Sequence, residues 1–170
     1  ARFNIEARVR SEVKRVNPEK KTIMVHNLAL GGLYEETYDK LILSPGAAPV
    51  RPPLEGIDME GIFTMRNVND TDRVKEYIEE HDVKYALIVG AGFIGLEMAE
   101  NLHECGIQVS VVEMADQVMT PVDYEIATVI HQHFKSKSVG LHLQEAVIAF
   151  HPAEDGIDVV LKSGLVLRVD

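Results

Sequence analysis

The chain has 170 residues, 46% hydrophobic and 26% charged, with a formal net charge of -10. These proportions exclude disordered and fibrous classes and leave room for one sizeable core, or for one domain plus part of another. The acidic balance repels phosphate backbones, and Arg8, Arg10, Lys14, Arg15, Lys20 and Lys21 alternate with apolar residues or sit in a turn, so neither nucleic acid nor an anionic membrane is an expected partner.

The first fifty residues read as extended chain. Alternating or β-branched character at 5–9, 12–16, 22–25 and 34–38 predicts a β-meander, with turns at Asn17-Pro18-Glu19-Lys20 and Leu30-Gly31-Gly32. The apolar run 40–43 predicts a buried strand. Pro45, Pro49, Pro52 and Pro53 then forbid regular structure and mark a linker. Val74, Tyr77 and Ile78 lie at helical spacing, with Asn69 or Asp70 placed to cap that helix.

An α/β unit follows: a strand over 84–89, a helix over 93–104 ended by Gly106, and a parallel strand over 107–112. Thr120-Pro121-Val122-Asp123 offers a cap, a proline for the first helical position and an acid, which predicts a helix buried along Val122, Ile126, Val129, Ile130 and Phe134. A strand at 141–143 and an antiparallel set at 146–150, 157–161 and 165–169 complete the pattern. The expected fold is α/β: a Rossmann-like domain with a parallel sheet and an antiparallel meander, preceded by a β-rich segment.

Gly90-Ala91-Gly92-Phe93-Ile94-Gly95 joins the first strand to its helix. In such a turn the first glycine permits the reversal, the second lets the backbone approach a pyrophosphate, and the third lets helix and strand lie close. Free N–H groups and the helix dipole then favour an anion without a lysine. Glu113 stands 18 residues after Gly95, at the end of the second strand, where an acid can bind both ribose hydroxyls and repel a 2′-phosphate. No arginine or lysine lies between Met114 and Met119, so NADH is expected rather than NADPH. Glu97, two residues past Gly95, shares a flank with Glu100 and Glu104, which as a group read as a solvated face.

Other chemistries find no support. Cys105 is the only cysteine, which excludes an internal disulfide or a cysteine-based zinc site, and its surroundings suggest a small core residue. His131 and His133 point to different sides of a helix, and no metal site is expected. No GxSxG elbow or HExxH helix occurs. No window has the roughly 20 apolar residues of a membrane span, and Ala1-Arg2-Phe3-Asn4 lacks signal-peptide character; a cytoplasmic setting is expected.

Together, 38–49 (Tyr-Asp-Lys-Leu-Ile-Leu-Ser-Pro-Gly-Ala-Ala-Pro), Phe63-Thr64-Met65-Arg66 and the stretch from Val89 to Glu97 make the chain resemble the flavin-dependent pyridine nucleotide-disulfide oxidoreductases. Within them it is most similar to the NADH oxidases, NADH peroxidases and coenzyme A-disulfide reductases. The resemblance implies FAD beside NADH. It places Ser44, Pro45, Gly46 and Ala47 against FAD, carries Arg66 to the flavin nucleotide, and matches Val13 more loosely to an adenine contact. It sets Phe93 and Ile94 beside the nicotinamide, and Glu97 near both ring systems.

By the same resemblance, 1–52 is part of an FAD-binding domain, 53–68 a connecting segment, and 69–170 the NADH-binding domain without its last strand. The first FAD-binding loop, the redox-active cysteine and a C-terminal dimerisation domain would lie outside the chain, so no catalytic residue is expected within it. The parent would be a homodimer passing a hydride from NADH through FAD to a disulfide, peroxide or oxygen, and the isolated chain would be inactive. A non-catalytic NADH-sensing or interaction module is the alternative. A flavin-free dehydrogenase would leave Ser44 to Ala47 and Arg66 unexplained.

Overall fold

A computed structural model describes residues 5–170; the signal-peptide expectation for Ala1 to Asn4 falls outside the described residues. The chain divides into two compact units, Ala1–Ala47 and Ala48–Asp170. In the first, β1 (Ser11–Asn17), β2 (Thr22–Asn27) and β3 (Leu33–Thr37) form the expected antiparallel meander in the order β1-β2-β3. Its turns are shaped by asparagines: Asn17 Oδ1 accepts from the Lys20 N–H, and Asn27 Oδ1 accepts from those of Ala29 and Leu30.

Two expected strands do not form. Residues 5–9 and 40–43 carry no strand hydrogen bonding, and Ile42 is 89% exposed. An apolar run of that kind becomes a buried strand only when neighbours satisfy its backbone and cover its faces, and no described strand lies beside 40–43 to do so.

The second unit begins with α1 (Val68–His81), followed by β4 (Tyr85–Val89), α2 (Phe93–Glu104), β5 (Gln108–Glu113), α3 (Tyr124–Ser136) and β6 (Gly140–Leu143). The three strands form a parallel sheet in the order β4-β5-β6, with α2 and α3 as the crossovers. β7 (Val147–Ala153), β8 (Gly156–Leu161) and β9 (Val166–Val169) make the antiparallel meander. Alternation along β5 divides the core: Val109 and Val111 pack with Ala99 and Leu102 of α2 and Ala127 and Phe134 of α3. Val112 faces the other way, onto Val147, Phe150, Val159 and Leu161. The parallel sheet is thus covered by helices on one face and by the meander on the other, and Val109, Val111 and Val112 of β5 are buried between them.

Both helix starts differ from expectation. α1 is capped by Asn67 rather than Asn69 or Asp70: the Asn67 side chain accepts from the Asp70 N–H, and the Asp70 carboxylate accepts in return from Asn67, a complete capping box. α3 starts at Tyr124, with Asp123 rather than Thr120 at its cap. The Val122 carbonyl, which a helix begun at Pro121 would use, accepts instead from the Gln117 side chain at 2.8 Å. The buried line of α3 consequently runs through Ala127 and Phe134 with half-buried Ile130, while Ile126 and Val129 face solvent. Cys105 also departs from expectation. It is exposed at the C-cap of α2, immediately before Gly106, whose left-handed φ of +85° ends the helix.

β4 is an edge strand, paired only with β5 among the described residues. Beside it, Asp170 Oδ2 accepts from the N–H groups of Lys84 and Tyr85 at 2.5 and 2.8 Å. An apolar cavity of about 700 Å³ lies along this part of the unit, with Val74 and Ile78 of α1, Phe150 and Val159 of the meander, and Gly90 and Phe93 of the glycine turn in its walls.

Candidate functional site

β4 delivers the chain to Gly90, whose φ of +103° lies in the left-handed region that glycine tolerates best. The Gly90 N–H donates to the Val112 carbonyl at 2.8 Å, fixing the turn across the ends of both strands. A Cβ on Gly95 would lie 2.0 Å from the Gly90 carbonyl oxygen, so this glycine is required by the close approach of α2 to the strand. Gly92 differs from both. A Cβ there would meet nothing within 4 Å and its φ is -80°, so neither packing nor backbone conformation accounts for a glycine. What remains is space in front of the turn, as the close approach of a phosphate group requires.

The helix end behind that space suits an anion. Gly92 is the N-cap of α2 and supplies no side-chain hydrogen bond, in contrast to the capping box of α1, and no acid occupies the first turn. The leading N–H groups of α2 are therefore open to a negatively charged ligand. Phe93 and Ile94 stand on that first turn, 69% and 60% exposed, and Glu97 is exposed one turn further along.

Glu113 is the last residue of β5, and the structure brings its carboxylate to the glycine turn: Oε2 accepts from the Ala91 N–H at 2.8 Å, and Oε1 accepts from the Ala115 N–H at 2.9 Å. The side chain is half-buried and each oxygen retains accepting capacity. A half-buried carboxylate fixed beside the open space at Gly92 can accept from a diol and opposes a second anion. The following loop closes on the same turn, where Met119 donates its N–H to the Ala91 carbonyl at 2.9 Å. His131, weighed in the sequence only as a metal ligand, has another partner here: its Nε2 accepts from the Val118 N–H at 3.2 Å. A histidine in mid-helix carries no sequence signal for that bond, which joins residues 13 positions apart.

The residues implied for FAD divide between the two units. Val13 lies on β1 and is exposed, and Ser44, Pro45, Gly46 and Ala47 form an exposed segment without regular structure. Arg66 is exposed in the other unit, immediately before the α1 cap, where its N–H donates to Asp70 Oδ2 at 3.0 Å. Among the described residues no group of His, Cys, Asp and Glu is arranged to hold a metal, and no helix is long and apolar enough to cross a membrane.

The chain is similar to known proteins. The chain is 35% identical over 162 residues to a coenzyme A disulfide reductase of Staphylococcus haemolyticus, covering 95% of the chain and 35% of the relative. The crystal structure of reduced Bacillus anthracis CoADR-RHD superposes with a TM-score of 0.88 at 50% identity, covering 99% of the chain and 30% of that protein. The water-forming NADH oxidase of Lactobacillus brevis bound to NADH matches with a TM-score of 0.84 at 28% identity, over 94% of the chain and 35% of its own length. An engineered variant of that oxidase, bound to NADPH, aligns with a TM-score of 0.84 at 27% identity, over 94% of the chain and 35% of its own length. The chain thus spans about a third of the length of the relatives it matches. FAD and a nicotinamide dinucleotide, the cofactors implied by the sequence resemblance, are those of this group. The model of the pyridine nucleotide-disulphide oxidoreductases matches residues 1–170, and with the fold and the glycine turn in agreement the chain belongs to that family of oxidoreductases.

Proposed function

We propose that the chain supplies the NADH site and part of the FAD site of a flavoprotein that oxidises NADH and reduces a disulfide, peroxide or oxygen. The observation that carries this reading is the carboxylate of Glu113 tied to the Ala91 N–H, beside an open Gly92 and an uncapped helix end. Gly92 and the first turn of α2 receive the pyrophosphate, and Glu113 receives the adenosine ribose. Phe93 and Ile94 form an apolar wall for the nicotinamide, with Glu97 near the reacting rings. Val13, Ser44, Pro45, Gly46, Ala47 and Arg66 contact FAD. FAD held there would supply a two-electron acceptor for the hydride, and the residues named here would bind and orient the two cofactors.

NADH is favoured over NADPH by the charge of Glu113 and by the absence of a cation between Met114 and Met119. The engineered oxidase bound to NADPH supports this, since its substitutions remove an aspartate and introduce two arginines. The coenzyme A disulfide reductase relatives make that disulfide the first acceptor to test, ahead of peroxide and oxygen.

The domain organisation follows the same reading: 1–52 belongs to an FAD-binding domain, 53–68 connects, and 69–170 binds NADH. The whole protein is a cytoplasmic homodimer, and the chain by itself does not turn over. Titrating the full-length protein with NADH and NADPH tests the reading. It requires tighter binding of NADH, and equal affinity for the two would refute the role of Glu113.

A further inference from the structure

The loop between β5 and α3 is held to the glycine turn by a closed circuit of hydrogen bonds. Ala91 donates to Glu113 Oε2 and accepts from Met119; Ala115 donates to Glu113 Oε1; and Val118, next to Met119, donates to His131 Nε2 on α3. Val118 is fully buried, so its N–H has no access to solvent as a substitute partner. An N–H can only donate, so Nε2 is the unprotonated nitrogen and the ring proton sits on Nδ1. The half-buried ring is further fixed edge-on by Tyr124, with centroids 6.2 Å apart and planes at 76°.

We propose that His131 is a positioning residue for the dinucleotide site, an inference that rests on the NADH reading above. It acts through Val118 and Met119, setting the loop that presents Ala115 to Glu113 and locks the Ala91 peptide. Without the Nε2 acceptor, the Val118 N–H seeks another partner and the loop shifts. The Glu113 carboxylate then loses the Ala115 side of its support, although His131 itself touches no ligand.

The test compares His131→Gln, His131→Asn and His131→Leu in the full-length protein, measuring NADH affinity by calorimetry and kcat for NADH oxidation. A glutamine amide oxygen reaches the place of Nε2, an asparagine oxygen falls short of it, and leucine accepts nothing. Val159→Ala, in the meander core, controls for general loss of stability. The expected result is a Kd for NADH raised about fivefold to tenfold, the factor of one ordinary hydrogen bond, in the Asn and Leu variants. Gln restores the parent value, and kcat is little changed throughout. Parent-like affinity in both Asn and Leu variants overturns the proposal, as does a Gln variant as weak as Asn, or a Val159→Ala variant that weakens binding equally. If Leu does not fold, the Asn and Gln pair decides alone. A parent protein that fails to bind NADH refutes the dinucleotide reading itself, a result separate from any difference among variants.

Discussion

Replacing Glu113 probes the site where structure and specificity meet. In Glu113→Ala the N–H groups of Ala91 and Ala115 lose acceptors at 2.8 and 2.9 Å, and the ribose loses its anionic partner. Hydrogen bonds to a charged group contribute roughly 1.5 to 3 kcal/mol, and water can re-enter this half-buried place, so NADH binding should weaken by about 1 to 3 kcal/mol. That corresponds to roughly fivefold to 150-fold in Kd. NADPH should be affected less, or bind better, because the variant removes a charge that opposes the 2′-phosphate. Glu113→Gln should fall between: its amide oxygen can accept from one N–H, but its nitrogen would face the other as a second donor. Calorimetric titration of the full-length parent and both variants, with each nucleotide, measures these differences. NADH curves that superpose for parent and Glu113→Ala, or equal losses for NADH and NADPH, would refute the reasoning.

Gly92→Ser should separate binding from folding: the site has room for a side chain and serine is a good N-cap, so urea stability should hold within about 0.5 kcal/mol while NADH affinity falls at least tenfold. Gly90→Ala should do the opposite to stability, costing about 1 to 2 kcal/mol in a denaturant titration because φ there is +103°. The Arg168 guanidinium beside Asp158 holds that carboxyl below the usual carboxylate range. A lowered folded-state pKa stabilises above the unfolded value of about 4 and is lost as pH falls through the folded one, so Asp158→Asn should flatten the acid limb of urea midpoints measured against pH. An unchanged limb would show that the exposed pair contributes nothing.

What could be read from the sequence depended on whether the deciding interaction was local. α2 was legible from end to end, because Gly92 and Gly106 bound an uninterrupted helical pattern. The meander of β7, β8 and β9 was equally plain from its spacing and turns. Thr120-Pro121-Val122-Asp123 carries every local mark of a helix start, yet the Gln117 side chain claims the Val122 carbonyl and Met119 is drawn to Ala91, so α3 begins later and its buried line rotates. Residues 40–43 have a strand's composition but no described strand beside them. In the site, the backbone task of Gly90 and the packing task of Gly95 followed from spacing alone. The lock formed by Ala115, Val118 and His131 did not, because it depends on where a loop and a helix meet in space.

The most direct measurement of the central claim is anaerobic mixing of the full-length protein with NADH or NADPH while the flavin absorbance is followed. Rapid bleaching by NADH, much slower bleaching by NADPH, and loss of the NADH reaction at low nucleotide concentration in Gly92→Ser are the predicted results. A flavin-containing protein that NADH leaves yellow, or one bleached at equal rates by both nucleotides, would contradict the account.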